Sequence, residues 1–312
     1  MSVSVIDPLG PAMNRTQRVL FQPFDFGKWL RLGLCAFLAS LGEGGSSFNG
    51  NSNSGGGGQG GGGPNMNDVG NFLEEYALIL AIAVVVVVLL FIGLGLLVQW
   101  LSSRGKFMFL DGVVKNRGAV VEPWKEYRTE GNSLFFFRVV LGILGFVLFL
   151  VLAGVCLLIA WPDIQAEQFG SMATFAIVAG ITGIFVYVLT MAVIGVFLED
   201  FVIPIMYLRR IRAMEAWRVF GNEIWAENVG VLLLYLLAKF LIGLVVGVIA
   251  MMAVCLTCCL AALPYVGSVV LLPLTVFVRC YSLYFLQQFG PMWQIMPDGE
   301  VPPKPLDPYP YK

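Results

Sequence analysis

Five charged residues sit inside, or at the ends of, long apolar runs: Arg138, Glu199, Asp200, Lys239 and Arg279. A lone charge at the centre of a bilayer costs about 2.5–3.5 kcal/mol on insertion scales, so such residues are expected to pair. Asp200 or Glu199 is therefore expected to meet Lys239 or Arg279 between helices. The chemistry open to this set is an ion or substrate site, or a proton relay. The plainer role is an interhelical tie, with long cations snorkelling to the interface. The tie is favoured, because a transport path shows more polar residues along its length.

The 312-residue chain has no histidine, which removes Ser-His-Asp and Cys-His catalysis, haem-His ligation and histidine proton relays. Cys255, Cys258 and Cys259 form C-x-x-C-C in an apolar stretch, but a soft-metal site needs about four ligands. Packing of small residues is the favoured role, with a redox or metal role the alternative. No catalytic, cofactor-binding or metal-ligating set emerges, and no cofactor is expected. A net charge of −1 argues against nucleic acid as a partner.

These residues must be positioned by membrane helices. Charged residues are 12% of the chain, apolar residues 58%, and the mean hydropathy is +0.82. A soluble fold could not wet its surface with that composition. The expected fold class is all-α: a polytopic transmembrane helix bundle of about six spans, with amphipathic interfacial helices on the cytoplasmic side. The apolar runs fall at residues 24–41, 76–101, 134–160, 172–198, 229–262 and 266–286. The first is short, and a re-entrant half-helix is its rival reading. Six spans place 17 of the 19 Lys and Arg on one side, leaving Lys239 and Arg279 within apolar sequence. By the positive-inside rule both termini are then cytoplasmic.

Three regions follow: a cytoplasmic N-terminal segment (1–28), one transmembrane domain (29–288) and a Pro-rich cytoplasmic tail (289–312). The transmembrane domain includes a Gly-rich outer loop at 42–65, expected to be disordered because Gly is costly to order and nothing there builds a core. Pro204, directly after the acidic pair, is expected to kink or end the fourth span. Gly243 and Gly247 form GxxxG, which permits close helix approach.

Two inner segments look interfacial. Ile211, Met214, Trp217, Phe220 and Ile224 recur at helical spacing, opposite Arg210, Arg212, Glu215, Arg218 and Glu223. The 102–132 segment reads similarly, with Phe107, Phe109, Leu110, Val113 and Val114 among its charges. Trp124, Arg209, Arg210, Arg212, Trp217 and Arg218 are the candidate contacts to lipid headgroups. The pattern E-x-W-[KR]-x-aromatic occurs at Glu122–Tyr127 and again at Glu215–Phe220, which suggests a parallel repeat of span, short helix and span. Chance similarity between two interfacial loops is an equal alternative.

Three blocks carry a resemblance: residues 103–110 with Glu122-Pro-Trp124 and 131–135; Asp200 to Met206 followed by Ala216-Trp217; and 281–290 before Pro291. Together they resemble an uncharacterised family of bacterial multi-pass membrane proteins, often with a Gly-rich first outer loop. On span pattern and the loop tryptophan there is a more distant similarity to the membrane domain of some glycerophosphodiester phosphodiesterases and to Yip1-like proteins. The resemblance implies no established activity and transfers no catalytic residues. The function expected is non-enzymatic: membrane organisation, or binding of membrane lipids, a protein partner or a second copy. A small transporter using the inner charged cluster and a lipid-modifying enzyme are the alternatives.

Overall fold

The computed structural model describes residues 3–22, 24–41, 66–165, 170–257 and 263–296. The glycine-rich segment 42–65, Cys258, Cys259 and the tail beyond residue 296 lie outside the described residues. All regular structure among the described residues is helical.

Four helical stretches are long and apolar enough to cross a membrane: Ala81–Val114, Arg128–Asp163, Ser171–Arg209 and Ala213–Leu256. They belong to α3 (Met66–Val114), to α5 (Arg128–Gln165), to α6 (Ser171–Phe197) continued by α7 (Ile203–Arg209), and to α8 (Ala213–Val219) continued by α9 (Ala226–Leu256). The remaining helices are short: α1 (Leu9–Phe21), α2 (Phe26–Ser40), α4 (Val121–Glu126), α10 (Pro264–Val270) and α11 (Leu272–Gln287). The first and last apolar runs of the sequence thus become α2 and the α10–α11 pair. At 15 residues α2 is about 22 Å long, less than a full hydrocarbon thickness. Asp25 starts it by accepting from the Gly27 N–H at 2.8 Å.

The tightly packed core lies at one end of the bundle. Phe107, Leu110 and Val113 of α3, Phe201 and Met206 near α7, and Tyr281 and Phe285 of α11 are all inaccessible to solvent. The other halves of the long helices present bare apolar side chains outward, among them Val84–Phe91, Phe146–Val151, Phe185–Leu189 and Leu241–Val245. That surface needs a lipid solvent.

The segment 102–114 is not an interfacial element. It continues α3 as a buried helix, because its small and apolar residues pack against α1, α2 and α7. Gly105 makes this approach feasible: a Cβ there would stand 2.7 Å from the Ala39 amide nitrogen. Ser102 donates to the Ala39 carbonyl at 2.8 Å and Lys28 to Asn116 Oδ1 at 2.6 Å, so α2 runs antiparallel to the end of α3. Asn116, with φ of 53°, adopts the left-handed conformation as α3 ends. Arg15 of α1 then donates to the carbonyls of Val113 and Val114 at 3.3 and 2.7 Å, supplying two acceptors the helix end leaves over.

The 211–224 segment is helical but its buried face differs from the expected one. Ala213, Ala216, Phe220 and Ile224 are buried, while Met214 is 62% exposed. The alanines let α8 approach the core closely, and this displaces the larger apolar residue outward. Pro204 does not break the long stretch Ser171–Arg209. A π-helical turn at Leu198–Val202 precedes it, and Pro204 sits in the first turn of α7. A second π turn, Phe220–Trp225, joins α8 to α9.

Candidate functional site

The first π turn sets the site. Within it the Ile203 N–H reaches back to the Leu198 carbonyl. The next carbonyl in that register, Glu199, would look to residue 204, and Pro204 has no N–H. Arg279 of α11 fills the place, donating from Nη1 to the Glu199 carbonyl at 2.7 Å. Asn228 serves the second π turn in the same way: its side-chain amide donates to the Ile224 carbonyl at 3.2 Å, and its own φ of −130° marks the kink that starts α9.

Asp200 is 2% exposed and held from two sides. Lys239 lies 2.8 Å from its Oδ2 and 2.9 Å from Oδ1, and the Tyr235 hydroxyl donates to Oδ2 at 2.8 Å. Tyr235 and Lys239 are four residues apart on α9, so one face of that helix presents both donors. Tyr235 is fixed by stacking on Tyr281 and Phe285, with ring centroids 5.9 and 4.3 Å away. Glu199 pairs with Lys106 of α3 at 3.2 Å.

Glu199, Asp200, Lys239 and Arg279, which the sequence singles out, therefore come together. Lys106 and Tyr235 join them and were not anticipated. A tyrosine one helical turn before Lys239 was the available signal for one; Lys106 was hidden by reading its helix as a loop. Arg138 is not part of the group and instead donates to Ser102 Oγ at 3.3 Å.

The four charged residues and Lys106 form one end of a cavity of about 430 Å³. It lies between α2, α3, α6, α9, α10 and α11, and its remaining lining is mostly small or apolar: Ala36, Ala39, Gly243, Val246, Gly247 and Ala250. The GxxxG glycines thus border open space. A Cβ at Gly243 or Gly247 would meet nothing within 4 Å, so this face of α9 makes no close helix contact.

A second charged centre joins the helix ends at the core end of the bundle. Asp111 is fully buried and accepts from Tyr207 Oη at 3.1 Å, with Lys115 at 2.7 Å and Arg117 at 3.0 Å. Burial opposes the Lys115 charge, but its hydrogen bond to Asp111 and the carboxylate's field outweigh that and raise its pKa. Burial also raises the Tyr127 phenol, against the opposing effects of its bond with Tyr207 and of Arg210.

The candidate headgroup residues gather here. Arg210 pairs with Glu126 and lies 3.9 Å over the Tyr127 ring. Arg209 binds Glu223 at 2.7 Å and covers the Trp293 ring. Trp124 and Trp100 flank Arg104, at 4.8 and 4.4 Å from its guanidinium. Trp217 packs against Phe137, 5.9 Å between centroids. Arg212 and Arg218 are exposed.

A family model described as Family of unknown function (DUF7544) matches residues 3–272. The chain belongs to that family. The DUF7544 match covers α1 through α10 and includes Lys106, Glu199, Asp200 and Lys239; it ends before Arg279. No curated protein and no solved structure matches the chain, so the likeness to the glycerophosphodiester phosphodiesterase membrane domain and to Yip1-like proteins finds no support there.

Proposed function

We propose that this DUF7544 protein is a non-enzymatic, multi-pass protein of a bacterial inner membrane that binds a lipid or similar amphiphile in the cavity at Asp200. The observation that carries this reading is the cavity itself: about 430 Å³, charged at one end and otherwise lined largely by small and apolar side chains. That volume lies within the range of small-molecule sites. The non-catalytic part of the proposal is supported by the ion pairs: the two carboxylates line the cavity as members of charge pairs, Asp200 with Lys239 and Glu199 with Lys106.

The proposal includes six crossings, with the N- and C-terminal regions on the cytoplasmic side. Connectivity supports this. α1 and the first turns of α2 pack at the same end as the inner end of α3, whose other end starts at Met66. In the proposed topology the chain crosses between α1 and α3. It crosses again between the far end of α9 and α11, which returns to the core. The short helices α2 and α10–α11 would make these two crossings, and the cavity lies where they fall short. α4 and α8 would border the inner interface, with exposed Arg212 and Arg218 available to anionic headgroups.

The test is native mass spectrometry of the protein extracted with its bound lipids. Wild-type protein is expected to carry a retained amphiphile, and Gly247→Leu, which places a side chain into the cavity, is expected to lose it. Retention by Gly247→Leu to the wild-type extent overturns the reading. One observation favours a small transporter instead: a π turn, a motif frequent at functional sites, lies in the cavity wall at Asp200. Substrate flux in proteoliposomes that stops in Asp200→Asn would decide for that alternative.

A further inference from the structure

The charge at the polar end of the cavity does not cancel. Lys106–Glu199 and Lys239–Asp200 are two matched pairs, at 3.2 and 2.8 Å. Arg279 is the fifth charge and forms no ion pair among the described residues. Its recorded bond is to a backbone carbonyl, its Nε is buried without a hydrogen-bond partner, and the residue is only 6% exposed. A guanidinium so placed keeps a full positive charge, because arginine does not deprotonate in proteins. It holds a planar fork of donors suited to a carboxylate or a phosphate oxygen pair. Away from the charges the lining carries the hydroxyls of Ser40, Ser268 and Thr275 among small and apolar side chains, and a Cβ at Gly243 or Gly247 on α9 would meet nothing within 4 Å. One uncompensated cation at one end and a mostly small and apolar lining along the rest suit an elongated ligand with one anionic end.

We infer that the cavity takes an amphiphile with a single anionic head, carboxylate or phosphodiester, placed on Arg279 with its apolar chain along the glycine face of α9. This inference rests on the cavity being a lipid pocket. A dianionic head would overcompensate the site, a neutral head would leave Arg279 without an anion, and a zwitterionic head would add a further cation to a site that already holds Lys106, Lys239 and Arg279. The two ion pairs hold Arg279 in place through the Glu199 carbonyl, so the acids position the cation instead of neutralising it.

The test is equilibrium binding of labelled probes to the full chain in a non-ionic detergent. Oleate is compared with methyl oleate, and lysophosphatidylglycerol with lysophosphatidylcholine. At least one anionic probe is expected to bind about tenfold or more tightly than its uncharged or zwitterionic counterpart, as for a hydrogen bond between charged groups. Which of the two shows the preference identifies the head as carboxylate or phosphodiester. Arg279→Gln is expected to erase the preference while methyl oleate still binds; Gly247→Leu is expected to weaken every probe. Equal binding of each pair in the wild type overturns the anion assignment and leaves the lipid pocket standing. Failure of all four probes, with no effect of Gly247→Leu, overturns both. The wild-type comparison needs no variant, so loss of folding in Arg279→Gln does not remove the test. Arg279→Lys, which keeps the charge but not the fork, is expected to retain part of the preference.

Discussion

At the scale of single residues, the Asp200 arrangement is a paired charge whose partners come from another helix. Removing one member of a buried pair leaves the other uncompensated, which costs about 3–5 kcal/mol. Asp200→Asn is therefore expected to lower the thermal midpoint in detergent sharply. Adding Lys239→Met should recover much of the loss, since two apolar groups replace two charges. An unchanged midpoint in the single variant would remove the tie. The Asp111 centre makes a prediction in pH. Lys115 and Tyr127 both have pKa values raised on folding. Each therefore contributes stability that is fully present below its unfolded value, about pH 10, and is lost as pH rises through the folded one. Thermal midpoints are expected to be flat near neutrality and to fall in the alkaline range, less steeply in Lys115→Met.

At the scale of elements, two glycine positions separate contact from space. Gly105→Ala would drive a methyl into the backbone of α2 at 2.7 Å and is expected to cost about 1–3 kcal/mol. Gly243→Ala meets nothing within 4 Å and should leave stability unchanged or slightly raised. Arg15→Met should cost about 1–3 kcal/mol by stranding the Val113 and Val114 carbonyls, read as the unfolding midpoint in detergent. The long helices and the Asp200–Lys239 meeting were legible because apolar length and isolated charge are one-dimensional signals. Three features were not. Helix continuation past Trp100 depends on a protein core that takes over from lipid, so charges such as Arg104 and Lys106 read as a loop. The buried face of α8 rests on Ala213 and Ala216, whose small size signals contact only once a neighbour is known. GxxxG has the same form whether it faces a helix or a cavity, and here it faces a cavity.

At the scale of the whole molecule, buried packing is concentrated where the short helices meet the core ends of the long ones. The outer halves of the long helices are expected to exchange backbone amides faster in thin micelles than the segments around Phe107, Phe201 and Phe285, which hydrogen exchange by mass spectrometry can resolve. The N-terminal segment closes this core: Ser4 exchanges two hydrogen bonds with the Gln288 side chain, at 2.7 and 2.8 Å, and the Tyr281 hydroxyl donates to the Val5 carbonyl at 3.1 Å. That clasp has a consequence for biogenesis. The partner of α1 is α11, so α11 must be made before the core can form. Until then Asp200 and Lys239 sit in the membrane without Arg279 in the shared cavity wall, and the insertion machinery must shelter a half-built charge cluster while synthesis runs to α11.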